Sequence, residues 1–516
     1  MTKDIVTKEP YKWGVVIIAC MAVFIIVLDS SAMNVAITTL VKDLDTTLSN
    51  IQAIIALYAL IIGSFLLLGS KIQDILGRKK TFLIGVLIYT SGTIVSTLSL
   101  NVGMLLLGWA VLEGIGAALI LPATTTLVGS SYTGRDKTIA FGIWGGISAM
   151  GAAVGPIIGG VFTTYLSWRM VFGSEIIFLV IILIFRNVLS ESKPKLKWKD
   201  LDIAGAFLSI ISLILIVLGI LLMARPDSWS HVPWLVLSGV ILFILFLLWQ
   251  RRRINHDLEP LSDISLLKNR VFGLGNIISV IQNIPLAGFL FIIPVFLQQV
   301  TKLSAFMTGV VLLPASITIL FFSLMGAKVS SRIYPKYILM IGFLISAIGT
   351  WLLGGTFSMD TQAMDIVGGT IIFGVGIGLL LSQLNNITMS SAKKSQQSDA
   401  SGFMNAFKNL GYSVGTALIG VLFLVGIFTG LTASIEDSGI ATNMTTEQIR
   451  NSSFHYVEHM QTIEPRNIPP AMIPQVNKIV NETISLAMKM IFDILAVILM
   501  LGFIISYFLP GKIETG

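Results

Sequence analysis

Residues 151–160 have the sequence GAAVGPIIGG, in which glycines and a proline interrupt an otherwise apolar segment. These residues are Gly151, Gly155, Pro156, Gly159 and Gly160. Small residues repeated every four positions allow the backbone of a neighbouring helix to approach closely. Proline removes one helical hydrogen bond and favours a bend. We therefore predict that this segment is a membrane helix that bends, or seals against a neighbour.

The composition of the chain places it in a membrane. Of its 516 residues, 54% are hydrophobic and only 12% are charged, and the mean hydropathy is +0.87. Such a chain cannot cover its surface with polar groups in water. Apolar segments of about 20 residues, the length that crosses a bilayer, occur fourteen times along the sequence. We predict an all-α membrane protein with fourteen transmembrane helices.

Lysine and arginine are concentrated in every second connection between the apolar segments. The basic connections include residues 71–80, 193–199 and 251–270, and the connections between them are poor in positive charge. Because positively charged loops stay on the cytoplasmic side, we expect a cytoplasmic-membrane protein with both termini in the cytoplasm. The net charge of +7 then reflects this orientation, and no nucleic-acid partner is expected.

Two segments of the chain resemble each other at a constant offset. The stretch Gly69-Ser70-Lys71-Ile72 corresponds to Gly326-Ala327-Lys328-Val329. Such repeats place a binding site midway across the membrane, between two halves of a transporter. We predict a first six-helix half at 1–190, an inserted helix pair with basic linkers at 191–270, and a second six-helix half at 271–516.

The connection near 429–486 is the only long polar one predicted outside the cytoplasm. His455 and His459 would lie on one face of a helix there, but no third convergent ligand is visible in the sequence. A structural or catalytic metal site needs at least three protein ligands. We therefore expect no metal and no cofactor.

Three carboxylates fall within apolar segments: Asp29, Glu113 and Glu175. An ionisable residue at this depth is costly and is a functional candidate by default. Burial away from water disfavours the charged form of a carboxylate, so such a group can hold a proton until water or a cation reaches it. Proton exchange requires this property, although Glu175 is also compatible with a structural polar contact.

Several short motifs match those of one family of membrane proteins. They are Leu28-Asp29-x-Ser31-x-x-Asn34-Val35-Ala36 in the first apolar segment, Asp74-x-x-Gly77-Arg78-Lys79 after the second, Gly114-x-Gly116-Ala117-Ala118 in the fourth and Trp168-Arg169 before the sixth. Together with the segment at 151–160, they resemble the motifs of the fourteen-helix drug:proton antiporters of the major facilitator superfamily. The resemblance covers nearly the whole chain.

The resemblance implies roles for particular residues. Asp29 and Asn34 are expected at the proton-coupling and substrate site. Asp74, Gly77 and Arg78 are expected to form a gate latch, because Asp74 can gain or lose a charged partner between two conformations. The glycine-proline segment corresponds to the antiporter motif of the family and is expected to act in gating.

The chain departs from the family in the fourth apolar segment. Ala110 and Glu113 stand where the family usually has arginine and glutamine. The arginine of the family therefore has no counterpart here, and we expect Glu113 to act as a second carboxylate beside Asp29.

These residues suggest export of small molecules in exchange for protons, driven by the proton gradient. Carboxylates in a low-dielectric cavity attract positive charge, and aromatic rings bind cations through their faces. The expected substrates are therefore lipophilic and cationic, with membrane lipid as the surroundings. Candidate aromatic residues of the cavity are Tyr58, Trp144, Phe289 and Phe296.

Two other functions are compatible with the sequence. One is export of a single metabolite or lipid-like product. The other is a membrane sensor or scaffold whose polar connection near 429–486 binds a partner. The sequence has no nucleotide-binding loop and no serine hydrolase motif, so we do not expect an enzyme.

Overall fold

The computed structural model describes residues 13–191, 194–330, 332–392, 396–438 and 473–510, and helices form almost all of this part. The helices of the first third are α1 (Gly14–Ala32), α2 (Ile37–Asp43), α3 (Leu48–Leu76), α4 (Arg78–Thr97), α5 (Val102–Ser131), α6 (Gly134–Tyr165) and α7 (Arg169–Ile184). Two helices follow, α8 (Ile203–Leu222) and α9 (Val232–Asn255). The remaining helices are α10 (Arg270–Gln299), α11 (Ala305–Val329), α12 (Pro335–Gly354), α13 (Ala363–Ser390), α14 (Gln397–Ser438) and α15 (Ile473–Tyr507).

Thirteen helices in the described part are long and apolar enough to cross a bilayer. The helix α7 is apolar but has 16 residues, fewer than the roughly 20 that a span normally needs. No β-strand occurs among the described residues. The prediction of an all-helical, multi-pass membrane protein is confirmed. The sequence predicted fourteen spans, and the short α7 accounts for the difference.

Close glycine contacts fix α6 against α1. A Cβ atom at Gly155 would lie 1.8 Å from Ser31 Oγ, and one at Gly159 would lie 2.4 Å from the backbone oxygen of Ala32. Both distances are too short for any larger residue. The small residues of the predicted motif are therefore required for these two helices to pack together.

Two helix pairs join α1–α7 to α10–α15, and we call the surface between these two groups the seam. On one side, α3 packs against α14: Ser413 Oγ donates to the backbone oxygen of Ala56 at 2.7 Å, and Gln52 Nε2 donates to that of Ala417 at 2.8 Å. On the other side, α6 packs against α11. There a Cβ atom at Gly160 would lie 2.7 Å from the backbone oxygen of Ala305.

The seam differs between its two ends. We call the end where α1 begins the terminal end, and the opposite end the distal end. At the distal end Gln298 Nε2 donates to the backbone oxygen of Val35 at 2.8 Å, and the backbone N–H of Phe306 donates to Thr164 Oγ1 at 2.9 Å. Towards the terminal end of α6, a Cβ atom added at any of three glycines would have no neighbouring atom within 4 Å. These are Gly142, Gly145 and Gly146.

The helices α8 and α9 pack against each other, and α8 also contacts α3 and α14. Val217 of α8 is buried in a small apolar cluster with Ala56, Leu60 and Ala417. Asp202, just before α8, accepts hydrogen bonds from Trp249 and Gln250 near the end of α9. The pair therefore covers the α3 and α14 side of the seam.

The long connection predicted near 429–486 is only partly described. The helix α14 extends to Ser438 and α15 begins at Ile473. Residues 439–472, with His455 and His459, lie outside the described residues. No group of three metal-ligating side chains occurs in the part of the chain that the structure covers.

Candidate functional site

Asp29 lies in α1 and is completely buried. The indole Nε1–H of Trp109, in α5, donates to Asp29 Oδ2 at 2.5 Å. The ring of Tyr58, in α3, lies with its centroid 5.4 Å from that of Trp109, and Phe172 of α7 packs edge-on at 5.8 Å. Trp109 and Tyr58 therefore lie beside the carboxyl group, and Phe172 packs against Trp109.

Glu113 ends a π-helical turn within α5, Leu106–Glu113. Such turns inside α-helices are frequent at functional sites, because they shift the side chains that follow. A Cβ atom at Gly92 of α4 would lie 2.7 Å from Glu113 Cγ, so only glycine allows this contact. The side chains of Thr93 and Ser96 lie beside the Glu113 carboxyl.

Glu175 of α7 is also completely buried. The hydroxyl of Tyr89, in α4, donates to Glu175 Oε2 at 3.2 Å. Asp29, Glu113 and Glu175 lie within electrostatic range of one another. We call these three residues the carboxyl cluster, which the structure brings together within the first group of helices, α1–α7.

Several oxygens of the carboxyl cluster have no hydrogen-bond partner among the described residues. They are Asp29 Oδ1, Glu113 Oε1 and Oε2, and Glu175 Oε1. An unpartnered carboxylate in a low-dielectric interior is costly, and three negative charges close together add their repulsion. The arrangement is therefore suited to storing protons, which remove these charges.

Asn34 lies apart from the carboxyl cluster. It follows Asp29 by five residues and lies in a 3₁₀ turn, Met33–Val35, just after α1. Its Nδ2 donates to the backbone oxygen of Ser30 at 2.8 Å and to the hydroxyl of Tyr412, in α14, at 3.2 Å. Asn34 therefore belongs to the seam, whereas Asp29 belongs to the interior of the first helix group.

The candidate aromatic residues have different surroundings. Tyr58 joins the carboxyl cluster, as described above. Trp144 of α6 is half-buried, and its indole nitrogen has no hydrogen-bond partner among the described residues. Phe289 stacks on a ring of α13 at 4.4 Å, and Phe296 packs edge-on against Phe357 at 4.8 Å. Both phenylalanines are fully buried within the second helix group.

The predicted gate residues lie together at the terminal end. Gly77 has φ 93° between α3 and α4, a conformation that favours glycine. Arg78 Nη1 donates to the backbone oxygen of Thr126 in α5 at 3.2 Å. The backbone oxygen of Asp74 accepts a hydrogen bond from the backbone N–H of Lys195 at 2.8 Å. These contacts hold the end of α3 to α5 and to the segment before α8.

A buried lysine connects the same region to the second helix group. Lys71 Nζ lies 2.8 Å from Glu259 Oε1, before α10, and 3.5 Å from Asp399 Oδ1, in α14. The Lys71 side chain is only 5% exposed, so solvent screens these ion pairs less than it would screen surface pairs. In the sequence, Lys71 belongs to a basic connection and to the internal repeat, and neither pattern predicts this link across the seam.

Three further residues were missed in the sequence. Trp109 and Tyr89 donate to Asp29 and Glu175, but their partners are distant in the chain and no local signal connects them. Lys408, by contrast, stands in the apolar sequence of α14 and was detectable there as an ionisable residue within a span.

The sequence of the chain matches a family model in two places. The model of the Major Facilitator Superfamily covers residues 19–202 and 201–416. The chain belongs to the major facilitator superfamily. The expectation from its motifs is therefore confirmed.

Curated relatives of this superfamily member carry names of transport and drug resistance. The riboflavin transporter RibZ of Clostridioides difficile is 28% identical over 80% of the chain and 88% of its own length. The puromycin resistance protein pur8 of Streptomyces alboniger is 27% identical over 85% of the chain and 86% of its own length. The multidrug transporter protein MdtP of Bacillus subtilis is 25% identical over 78% of the chain and 73% of its own length.

Solved structures share the fold at low sequence identity. A bacterial homologue of the human lysosomal transporter Spinster, in an inward-facing and unoccupied conformation, has a TM-score of 0.65 and 13% identity, covering 99% of the chain and 100% of the homologue. A D-xylose-proton symporter has a TM-score of 0.57 and 14% identity, covering 88% of the chain and 98% of the symporter. This superfamily member therefore shares the fold of these two solved transporters.

Proposed function

We propose that this superfamily member exports small lipophilic molecules across the cytoplasmic membrane in exchange for protons. The observation that carries the proposal is the carboxyl cluster: Asp29, Glu113 and Glu175 are completely buried, and each has at least one oxygen without a hydrogen-bond partner among the described residues. A protonated cluster is neutral and stable at this depth. Deprotonation creates charge that favours a rearrangement towards water.

The proposed orientation decides to which side of the membrane the structure opens. The basic connections at 71–80 and 251–270 lie at the terminal end, which we assign to the cytoplasm. With α7 counted as a short span, the chain crosses the membrane fourteen times, and α8 and α9 form the inserted pair. Contacts at the distal end and open space around Gly145 support a state accessible from the cytoplasm along α6, while Lys71 joins α3 to α14 at the terminal end.

The relatives bear on the class of substrate. Puromycin resistance and multidrug transport among them support export of drugs or toxic compounds. The riboflavin transporter among them supports the alternative of a single metabolite. The number of unrelated compounds that the protein transports therefore distinguishes drug export from export of a single metabolite.

The position of the carboxyl cluster changes the argument for cationic substrates. The sequence predicts cationic substrates on the expectation that these carboxylates line a cavity. Asp29 is instead enclosed by Trp109 and Tyr58 within the first helix group. We assign the cluster to protons, and the charge preference of the substrate then depends on residues of the seam.

Proton-coupled transport can be tested with the purified full-length chain in liposomes that contain a pH-sensitive dye. A pH gradient is imposed, and tetraphenylphosphonium, puromycin or riboflavin is added in separate runs. The expected result is a proton flux on addition of at least one compound, lost in Glu113→Gln. Response to many unrelated compounds favours drug export, and response to riboflavin alone favours the metabolite exporter.

Compound movement with no proton flux, or a proton flux unchanged in both Asp29→Asn and Glu113→Gln, would contradict the proposed coupling. Asp493→Asn is the matched control. It removes a carboxylate from α15 that is 40% exposed and paired with Lys489, outside the carboxyl cluster.

A further inference from the structure

Lys408 is an ionisable residue deep within a membrane-spanning helix. It lies in α14, inside the apolar stretch Asp399–Ile435, and its side chain is half-buried. A lysine at this depth is rare, and it usually pairs with a carboxylate or faces a water-filled cavity. Its surroundings therefore decide what it does.

No carboxylate within the described residues forms an ion pair with Lys408. Asp399 precedes it by nine residues, about 13 Å along the helix, and is paired with Lys71. Asp29 is enclosed within the first helix group and accepts its hydrogen bond from Trp109. The Lys408 ammonium group is thus a positive charge without a counter-charge from the described chain.

The face of α14 that carries Lys408 is directed at the seam. Asn405, Lys408 and Tyr412 are three or four residues apart and therefore share one face. The Tyr412 hydroxyl accepts a hydrogen bond from Asn34 Nδ2, just after α1, at 3.2 Å. This contact shows that the shared face points towards the first helix group.

The other faces of α14 are occupied by neighbouring helices. Ser413 contacts α3, where its hydroxyl donates to Ala56. A Cβ atom at Gly411 would lie 2.8 Å from the backbone oxygen of Val280 in α10. The face with Lys408 is the one left for a molecule that enters between the two helix groups.

This face also offers neutral polar groups beside the charge. Asn405 Nδ2 donates to the backbone oxygen of Ser401 at 3.0 Å, which leaves its Oδ1 as an acceptor. The Tyr412 hydroxyl accepts from Asn34 and keeps its own proton to donate. An ammonium donor and a hydroxyl donor one helical turn apart suit an oxyanion, which accepts several hydrogen bonds.

We propose that Lys408 binds an anionic group of the transported molecule, and that the substrates include lipophilic bodies carrying one carboxylate. The inference rests on the proposed export function and narrows its substrate class. Lys408 then binds the charged group of the substrate, and the carboxyl cluster holds the protons. The two sites are separate, so each can be impaired without the other.

Binding to the purified full-length chain tests this assignment without a proton gradient. The probes are pyrenebutyrate, pyrenebutanamide and pyrenebutyltrimethylammonium, which share one lipophilic body and differ in charge. Their affinities are measured by fluorescence anisotropy. We expect tighter binding of the carboxylate than of the amide, a loss of at least tenfold for the carboxylate in Lys408→Gln, and a change below twofold for the amide.

The variant Lys408→Arg keeps the charge and is expected to keep most of the carboxylate affinity. The matched control Lys489→Gln removes a lysine from α15 that is 54% exposed and paired with Asp493, and we expect no change. Equal losses for all three probes in Lys408→Gln would indicate a structural role and overturn the proposal. So would carboxylate affinity within twofold of the unsubstituted chain.

Proton flux in the same preparations distinguishes this inference from the proposed function. If the carboxylate preference depends on Lys408 but no compound moves protons, the anion site stands and proton coupling fails. If Lys408→Gln abolishes proton flux driven by the neutral amide as well, Lys408 belongs to the proton pathway and the anion site is wrong.

Discussion

Two side chains of the carboxyl cluster, Asp29 and Glu175, each accept a single hydrogen bond. One oxygen of Asp29 accepts the Trp109 indole N–H at 2.5 Å, and the other has no partner among the described residues. A carboxyl group anchored at one oxygen can gain or lose a proton at the other without losing its position. This asymmetry makes Asp29 the first residue to test.

We expect Asp29→Asn to keep the fold and to lose proton-driven export by more than tenfold. Asparagine has nearly the shape of aspartate and can still accept the Trp109 hydrogen bond through its oxygen, but it does not titrate. Flux is measured in liposomes, and folding by thermal unfolding of the same preparation. Unchanged flux in a well-folded Asp29→Asn variant would remove this residue from the proton pathway.

Asp43, outside the membrane spans, forms a second polar contact with a different consequence. Burial would raise the pKa of its carboxyl, but hydrogen bonds from Trp168 at 2.9 Å and Arg169 at 2.6 Å, together with the Arg169 charge, outweigh burial and lower it. The folded-state pKa is thus below the unfolded value of about 3.9. The stabilisation is complete above that value and is lost as pH falls through the folded-state pKa.

Asp43→Asn should therefore lower the unfolding temperature by a few degrees at neutral pH. The difference between the two proteins should stay constant from pH 8 to pH 5 and shrink once the pH falls below about 4. Thermal unfolding across this range measures it. A difference that grows on acidification would show that the ion pair with Arg169 is not its source.

The sequence predicted some of these residues and missed others for a physical reason. Asp29 and Glu113 were detectable because a carboxylate in an apolar segment is conspicuous on its own. Trp109 was not, because tryptophan is common in membrane helices and its partner lies 80 positions away. The π-helical turn Leu106–Glu113 also shifts the helical register in a way that sequence periodicity does not reveal.

At the scale of the element, α6 is a helix with two different ends. Gly155 and Gly159 face α1 without space for any side chain, while Gly145 has open space around it. Close packing of α6 against α1 therefore occurs in the part with the glycine-proline motif, and a sealing role there stays a prediction. Pro156 lies in this part, where its backbone oxygen would be 2.4 Å from a Cβ atom at Gly309 of α11.

Two valine substitutions in α6 separate packing from helix propensity. Gly159→Val adds bulk against Ala32 and should destabilise the fold by about 1–3 kcal/mol, the usual cost of overpacking, with loss of transport. Gly145→Val introduces the same β-branched side chain into open space and should leave stability nearly unchanged. Thermal unfolding and liposome flux are measured for both, and equal losses in the two variants would contradict the sealing role.

At the scale of the whole molecule, hydropathy was sufficient for the architecture and insufficient for the connections across the seam. Bilayer thickness fixes the length of an apolar span, so α3 or α10 could be predicted from composition alone. The link from Lys71 to Asp399 joins residues more than 300 positions apart. Only the packed chain shows which charged residues meet, so the sequence by itself assigns substrate charge to Asp29.

The two helix groups must separate at the distal end if transport proceeds by alternating access. Thr38 and Gln298 meet there across the seam through their side chains. We expect Thr38→Cys with Gln298→Cys, in a Cys20→Ser background, to lose proton flux when a short thiosulfonate reagent joins the two cysteines, and to recover it when dithiothreitol removes the link. The cross-link holds the distal end closed, so the space between the two helix groups cannot open at that end.

The matched control for this cross-link lies within one helix group. Gln73 and Thr126 form a hydrogen bond of 2.9 Å between α3 and α5, and these helices move together if each group is rigid. Gln73→Cys with Thr126→Cys should therefore keep its flux after the same treatment. If the distal cross-link forms completely and transport continues, the helix groups do not need to part at that end, and a different motion must carry the substrate.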